Sequence, residues 1–283
     1  MSDQVTHGPD RSAVPSDRGE ATALRSAAEA TAGTAAAAAA AEMPLPPSIA
    51  LAWGRAERPR RGPKPGLSLE RIVAAGIHLA VTDGLGSVSM GRVAAELGAS
   101  TMALYRYVPA KDDLLTLMVD TAFGPAPGAA GPGDGWRAGL ARWAAGIRAA
   151  YQRHPWVLRV PLSGELLLCP NNIAWMDDAL QCLAGTPLPE QQKLSAILLI
   201  SGFVRNQATL TDDITAGAGG EPEIPGLGAA MSALIGPDGY PALRQAIASG
   251  ALDDDGDIDD EFGFGLTRIL DGLDVLIRSA VVE

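Results

Sequence analysis

The chain has 283 residues, of which 47% are hydrophobic, so it is long and apolar enough for two domains with a sizeable core. Its formal net charge is −11, and no run of about 18 uncharged apolar residues indicates a membrane-spanning helix. The N-terminus lacks a secretory pattern, and Cys169 and Cys182 lack metal-ligand spacing. We therefore expect a cytoplasmic protein without metal or cofactor, and free thiols are favoured over a disulfide.

The first 66 residues predict two unstructured segments. Residues 1–54 are Ala-rich, with seven consecutive alanines in Ala35–Ala41, and we expect a mostly disordered tail with one transient helix at most. Residues 55–66 form a basic arm whose prolines prevent a helix. Arg60, Arg61 and Lys64 are candidates for contacts with DNA phosphates or the minor groove, and a solvated linker is the alternative.

The uneven distribution of charge supports a polyanionic partner for one end of the chain. Residues 55–111 contain nine Arg or Lys against four acids, a net charge of +5. Residues 221–283 contain thirteen acids against three arginines, a net charge of −10. A basic N-terminal block on an acidic body predicts that only one end faces nucleic acid.

The region 67–123 predicts three helices and the start of a fourth. Ser68 is placed to cap a helix that ends near Asp83, and Ser89 is placed to cap a short second helix. Gly98 then allows a sharp turn, after which Ser100 or Thr101 can cap a third helix. Two short helices joined by a glycine-containing turn are typical of a helix-turn-helix, whose second helix enters the DNA major groove.

The segment VAAELGASTMALYRYVPAKDDLL resembles the DNA-binding domain of the TetR family of bacterial transcriptional repressors. The resemblance covers residues 67–123 and depends on Ala94, Gly98, the Leu104-Tyr105 pair, Tyr107 and Lys111. It implies that Tyr107 and Lys111 contact phosphates. Together with the capping and outward-facing positions, the predicted DNA-binding residues in this domain are Ser89, Ser100, Thr101, Met102, Tyr105, Arg106, Tyr107 and Lys111.

Arg106 leaves two interpretations open. As the only long cation of the predicted recognition helix, it can read guanine with two hydrogen bonds. It can equally pair with an acid on the neighbouring domain.

Beyond a Gly/Pro-rich connection at residues 124–135, residues 136–283 show helical patterns and no alternating strand pattern, so the predicted fold is all-α. Part of this region resembles the C-terminal domain of tetracycline-type TetR repressors. The resemblance depends on the helix with Trp143, the His154-Pro155-Trp156 triplet and the Pro170-Asn171-Asn172 helix start. It implies a helical domain that binds an effector and dimerises.

Large aromatic side chains predict an effector pocket in this domain, although aromatics at helical spacing are also typical of a core. The predicted pocket residues are Trp143, Ile147, Tyr151, Trp156, Asn172, Trp175, Met176, Arg205 and Asn206. For the polar members, a surface or interface position is the alternative.

Two strongly apolar helices predict the dimer interface, which the family forms as a four-helix bundle. The predicted interface residues are Ile197, Ile200, Leu266, Ile269, Leu273 and Ile277. A dimer also provides two recognition helices for a near-palindromic DNA operator.

The sequence thus predicts a ligand-responsive, homodimeric regulator, with repression favoured over activation. It contains no common hydrolase, nucleotide-binding or zinc-protease motif, and the acidic segment from Asp253 lacks the last carboxylate of a calcium loop. Two alternatives remain at this stage: an architectural DNA-binding protein without an effector, and a helical enzyme with an incidental helix-turn-helix.

Overall fold

A computed structural model describes residues 45–55, 67–128, 135–217, 226–236, 239–252 and 258–281. These ranges contain helices and turns and no β-strand, in agreement with the all-α prediction. From Pro46 onward the chain forms one compact unit. The helices are α1 (Pro47–Ala52), α2 (Leu69–Asp83), α3 (Met90–Glu96), α4 (Thr101–Leu104), α5 (Lys111–Phe123), α6 (Trp136–Arg153), α7 (Pro170–Leu183), α8 (Glu190–Gly217), α9 (Leu227–Ile235), α10 (Pro241–Ala248) and α11 (Ile258–Ser279).

Serine side chains begin the three helices of the N-terminal domain, as predicted. The hydroxyl oxygens of Ser68, Ser89 and Ser100 accept hydrogen bonds from backbone N–H groups three residues later, at 3.2–3.3 Å. Each bond satisfies one of the N–H groups that a helix start leaves without a partner. Local sequence therefore determines where α2, α3 and α4 begin.

The turn between α3 and α4 is closed by a glycine in the left-handed region. Gly98 has φ +61°, its N–H donates to the Ala95 carbonyl at 3.1 Å, and the Ala99 N–H donates to the Ala94 carbonyl at 2.9 Å. This pair of bonds is a Schellman motif, which satisfies the last carbonyls of α3. The chain then turns directly into α4, whose Leu104 is fully buried.

A matched pair of glycine substitutions tests the turn. Gly98→Ala should lower the free energy of unfolding by about 1–2 kcal/mol, because a Cβ is strained in the left-handed region. Gly91→Ala should not lower it, because Gly91 lies in α3 and a Cβ there meets nothing within 4 Å. Urea denaturation of both variants gives the comparison, and equal stability would contradict the role assigned to Gly98.

Helix α5 joins the N-terminal domain to the remainder of the chain. It packs against α2 on one side and α7 on the other, and Leu114 and Met118 are fully buried. A Cβ at Gly76 of α2 would lie 2.7 Å from the Met118 sulfur, so the two helices approach closely. The close packing of α5 on α2 therefore depends on the absence of a side chain at Gly76.

The C-terminal domain is built around α6, α7, α8 and α11. Helix α8 packs against α6, α7 and α11, and its Ile200 and Val204 are fully buried. The ring of Phe203 stacks on Phe262 of α11, with 5.6 Å between centroids. The helical patterns predicted for residues 136–283 are observed, within the described ranges, as α6 to α11.

The end of the predicted disordered tail forms a helix instead, because its apolar side packs against α5. In α1, Ile49 is buried against the body of the protein, and the Ser48 hydroxyl donates to Glu165 Oε2 at 3.0 Å. The Trp53 indole N–H donates to the Leu168 carbonyl at 2.8 Å. The expectation of disorder was therefore wrong for residues 47–53, whereas the alanine run lies outside the described residues.

The thiols of Cys169 and Cys182 form no disulfide with each other. Burial, together with the nearby carboxylates of Asp120 and Glu165, raises the pKa of the Cys169 thiol to about 12. The Cys169 side chain is consequently protonated at neutral pH. Within the described ranges, no helix is long and apolar enough to cross a membrane, and no cluster of residues offers three metal ligands.

Candidate DNA interface and ligand cavity

The outer side of α4 carries large side chains that the protein leaves in solvent. Met102 is 72% exposed and Tyr105 is 44% exposed, and Arg106 is exposed beside them. Thr101 is half-buried, while Ser89 and Ser100 are exposed and cap the adjacent helices. Exposed large apolar side chains next to a cation are typical of an interaction surface, because contact with water is unfavourable for apolar groups and a partner would cover them.

Tyr107 and Lys111 occupy different environments at the end of this surface. Tyr107 is half-buried, and its hydroxyl donates to the Leu67 carbonyl at 3.2 Å. Lys111 is exposed at the first position of α5, whose N-cap residue Ala110 supplies no side-chain bond. The free N–H groups and the ammonium of Lys111 attract an anion, whereas the carboxylates of Asp112 and Asp113 in the same first turn oppose one.

The structure favours one of the two interpretations of Arg106. Among the described residues, no carboxylate lies within ion-pair distance of Arg106, so the predicted contact with a neighbouring domain is not observed. By contrast, the nearby Arg92 is paired with Asp83. The Arg106 guanidinium therefore stays available at the surface of α4. The other predicted cations, Arg60, Arg61 and Lys64, lie outside the described residues.

A cavity of about 570 Å³ lies in the C-terminal domain between α5, α6, α7, α8 and the segment 157–167. Most of the predicted pocket residues line it. These residues are Trp143, Ile147, Tyr151, Asn172, Trp175, Met176 and Arg205. The cavity has the size and the mainly apolar walls of a small-molecule site.

The aromatic walls are held in place by hydrogen bonds and ring contacts. The Trp143 indole N–H donates to the Trp175 carbonyl at 2.8 Å, and the Trp175 indole N–H donates to the Gly124 carbonyl at 3.0 Å. The ring of Phe123 meets Tyr151 edge to face at 5.3 Å. With their polar atoms satisfied, the rings present apolar surface to the cavity.

Two predicted pocket residues do not line the cavity. Asn206 is exposed because consecutive residues of α8 point about 100° apart, and Arg205 takes the inward position. Trp156 is buried in a 3-10 turn outside the lining, with its ring edge toward His154. Sequence reasoning also missed Val119 and Phe123 of α5 and residues 160–164 and 166–167. The apolar inner side of α5 indicated burial but not which space it borders.

Two successive regions of the chain match the two domain models of one protein family. Residues 72–118 match the model for bacterial regulatory proteins of the tetR family, and residues 127–277 match the tetracyclin repressor-like C-terminal domain. The second match alone spans more than half of the chain. The chain belongs to the TetR family. As a TetR-family member it is a transcription regulator rather than an enzyme, which removes the enzymatic alternative.

This TetR-family chain is similar to regulators from Streptomyces and Saccharopolyspora. It is 39% identical over 240 residues to the HTH-type transcriptional repressor DrrR1 of Streptomyces coeruleorubidus, covering 81% of this chain and 86% of that protein. It is 31% identical over 156 residues to an HTH-type transcriptional regulator of Saccharopolyspora erythraea, covering 54% and 64%. Among solved structures, Streptomyces coelicolor ActR in complex with actinorhodin aligns with TM-score 0.60 at 25% identity, covering 73% of this chain and 96% of that one.

The residues predicted for the dimer interface of this TetR-family chain are mostly buried within one chain. Ile200 is fully buried, and Leu266 and Leu273 are 7% and 6% exposed, because they fill the space between α8 and α11. Ile197 lines the ligand cavity instead, and Ile269 and Ile277 are half-buried. The prediction was therefore wrong for Ile197, Ile200, Leu266 and Leu273. Several other apolar residues of the two helices are exposed, among them Leu199, Leu210, Phe264 and Val275.

One buried carboxylate links α5 to the start of α7. Asp120 accepts hydrogen bonds from the backbone N–H groups of Asn171 and Asn172 at 3.1 and 3.2 Å, and from Asn171 Nδ2 at 3.0 Å. Burial raises the pKa of Asp120 above its ordinary value, although these bonds oppose the shift. Because Asn172 lines the cavity, Asp120 connects the cavity wall to the helix that begins at Lys111.

Replacing this carboxylate should weaken the junction in graded steps. Asp120→Ala leaves two buried N–H groups without an acceptor and should lower the free energy of unfolding by about 2–3 kcal/mol. Asp120→Asn keeps one acceptor oxygen and should cost less. Thermal and urea denaturation of both variants measure the series, and equal stability of all three proteins would contradict the assigned junction.

The raised pKa of Asp120 adds a dependence on pH. A carboxyl whose pKa is higher in the folded state stabilises that state most below its ordinary pKa, and this contribution is lost as the pH rises through the raised value. The stability advantage of the wild type over Asp120→Asn should therefore grow as the pH is lowered through this range.

Proposed function

We propose that this regulator is a homodimeric repressor that binds a near-palindromic operator and is released by a small molecule. The observation that carries the proposal is the position of α5. Its first residue, Lys111, begins the helix that directly follows α4 along the chain, while Val119 and Phe123 near its other end line the cavity. A ligand in the cavity thus touches the helix that directly follows the proposed recognition helix.

The surface around α4 is proposed to contact the operator. Met102, Tyr105 and Arg106 are exposed there and suit base edges and the sugar-phosphate backbone, while Lys111 suits a phosphate. Helix α4 alone spans only Thr101–Leu104, so it offers few contacts. Two copies about one helical turn of DNA apart provide the contacts that one copy lacks.

The cavity is proposed to hold the effector. Its aromatic walls and few polar groups suit an organic molecule, and ActR is a relative in fold that was solved with actinorhodin bound. Repression is favoured because the relative DrrR1 is a repressor. A ligand that binds the DNA-free form better by about 1–3 kcal/mol lowers operator affinity roughly 5- to 150-fold.

Selection of bound fragments from random DNA, followed by titration with a compound library, tests the proposal. The wild type should enrich a near-palindromic sequence, and at least one compound should lower its affinity for that sequence. Failure to enrich any fragment at low salt would overturn the operator. Enrichment without a response to any compound would favour an architectural DNA-binding protein.

A cavity-filling variant shows whether the response passes through the cavity. Ser201 lines the cavity, and its hydroxyl bonds only to the Ile197 carbonyl of its own helix, at 2.8 Å. Ser201→Trp should therefore keep operator affinity and lose the response to the compound. Ser249→Trp is the control, because Ser249 is exposed on the surface and bonds to the Ala246 carbonyl at 2.7 Å.

A further inference from the structure

Arg205 places a guanidinium group at the wall of the cavity, where only neutral groups hold it. Its Nη2 donates to the carbonyls of Leu158 and Val160 at 3.0 and 3.4 Å. Its Nη1 lies 3.5 Å from the Tyr151 hydroxyl, and the guanidinium carbon lies 5.9 Å from the centroid of that ring. These contacts fix the orientation of the side chain without neutralising its charge.

The charge of Arg205 has no carboxylate partner among the described residues. The described lining of the cavity contains no Asp, Glu, Lys or His, so Arg205 is its only permanently charged side chain. Arg159 of the same domain, by contrast, is paired with carboxylates, at 2.8 Å from Asp212 and 2.5 Å from Asp213. A half-buried cation in a mainly apolar cavity is costly unless an anion accompanies it.

The donors of Arg205 are also incompletely used. A guanidinium has five N–H groups, and within the described part of the chain Nε–H has no acceptor. A neutral carbonyl can accept from Nε–H but leaves the charge uncompensated. A carboxylate or sulfonate does both, since its paired oxygens match the planar donor fork of arginine. An amine would bring a like charge against the guanidinium.

We infer that the effector is an organic anion, with an aromatic or polycyclic apolar body and a carboxylate or similar acidic group bound by Arg205. The inference rests on the proposed function of the cavity and names its ligand class. The apolar body packs between the rings of Trp143, Tyr151 and Trp175, which line the same space. Neutral molecules of the same shape bind more weakly, and cationic ones weaker still.

Two fluorescent probes that differ by one acidic group test the ligand class. 8-Anilinonaphthalene-1-sulfonate and N-phenyl-1-naphthylamine share the same ring skeleton, and only the first carries an anion. Arg205→Gln removes the charge but keeps a donor for the Leu158 carbonyl. In fluorescence titrations it should lower sulfonate affinity about tenfold or more, and affinity for the neutral probe less than about twofold.

Two further variants make the comparison specific. Arg205→Lys keeps the positive charge and loses the planar donor fork, so it should retain part of the sulfonate affinity lost in Arg205→Gln. Arg153→Gln is the control, because Arg153 is exposed on α6 and its Nε donates to the Ala149 carbonyl of the same helix. It should leave both affinities unchanged.

The possible outcomes separate this inference from the proposed function. If Arg205→Gln and Arg205→Lys each lower the affinity for both probes equally, the inference is overturned, because Arg205 then only supports the fold. If Arg205→Gln does not fold, the Arg205→Lys comparison decides: a selective effect on the sulfonate supports the inference, and an equal or absent effect overturns it. If Ser201→Trp binds both probes as the wild type does, the cavity is not their site, and the proposed effector site fails as well.

Discussion

Replacing Tyr105 and Lys111 together by alanine should lower operator affinity about 1000-fold without changing the melting temperature. Both side chains are exposed, so the folded monomer loses little packing. A hydrogen bond or phosphate contact is worth roughly 1 kcal/mol, and two contacts in each of two protomers sum to about 4 kcal/mol. Fluorescence anisotropy with the operator selected by the wild type measures the change.

The dependence on salt separates lost phosphate contacts from general damage. Loss of one lysine contact per protomer should make the slope of log affinity against log salt concentration shallower by about 2 for a dimer. Arg153→Ala removes an exposed cation far along the chain from α4 and should change neither affinity nor slope. If the double variant keeps its affinity and its slope, α4 is not the DNA-contacting surface.

Leu199→Glu should convert the proposed dimer to monomers and lower affinity for the proposed operator more than about 100-fold. Leu199 is 54% exposed on α8, and its contact with a second copy would bury it. A carboxylate at a buried interface is strongly unfavourable, and the monomer loses the joint binding of two recognition helices. Sedimentation or light scattering gives the oligomeric state of the purified protein.

The neighbouring residue provides the matched comparison. Ile200 is fully buried within one chain, so Ile200→Ala should lower the free energy of unfolding by about 2–4 kcal/mol and leave the protein dimeric. A dimeric Leu199→Glu variant would show that the exposed side of α8 is outside the interface. The pair thus tests the corrected assignment of two adjacent apolar residues.

Features that depend on a few neighbouring residues could be predicted from the sequence. The caps at Ser68, Ser89 and Ser100 and the left-handed turn at Gly98 follow from local hydrogen bonding and from the absence of a Cβ. Most aromatic cavity residues could also be predicted. The domain contains more large aromatic side chains than a small core requires, among them Trp143, Tyr151 and Trp175.

Features that depend on how helices rotate against one another could not be predicted. Helix α8 is apolar on several sides, so the sequence does not distinguish Leu199, which is exposed, from Ile200, which is buried. The inward position of Arg205 and the outward position of Asn206 have the same origin. Residues 160–164 and 166–167 line the cavity without any helical periodicity to indicate them.

The short helix before the DNA-binding domain makes that domain an incomplete unit by itself. A shortened protein beginning at Leu67 would lack α1, so the surface of α5 that α1 covers would be exposed to solvent. Glu165 and the Leu168 carbonyl would also lose their hydrogen-bond donors, Ser48 and Trp53. Since Leu166 and Leu167 of the same turn line the cavity, such trimming should alter the cavity wall as well. Measurements of the response to the proposed effector are therefore best made on protein that retains the residues from Pro46 onward.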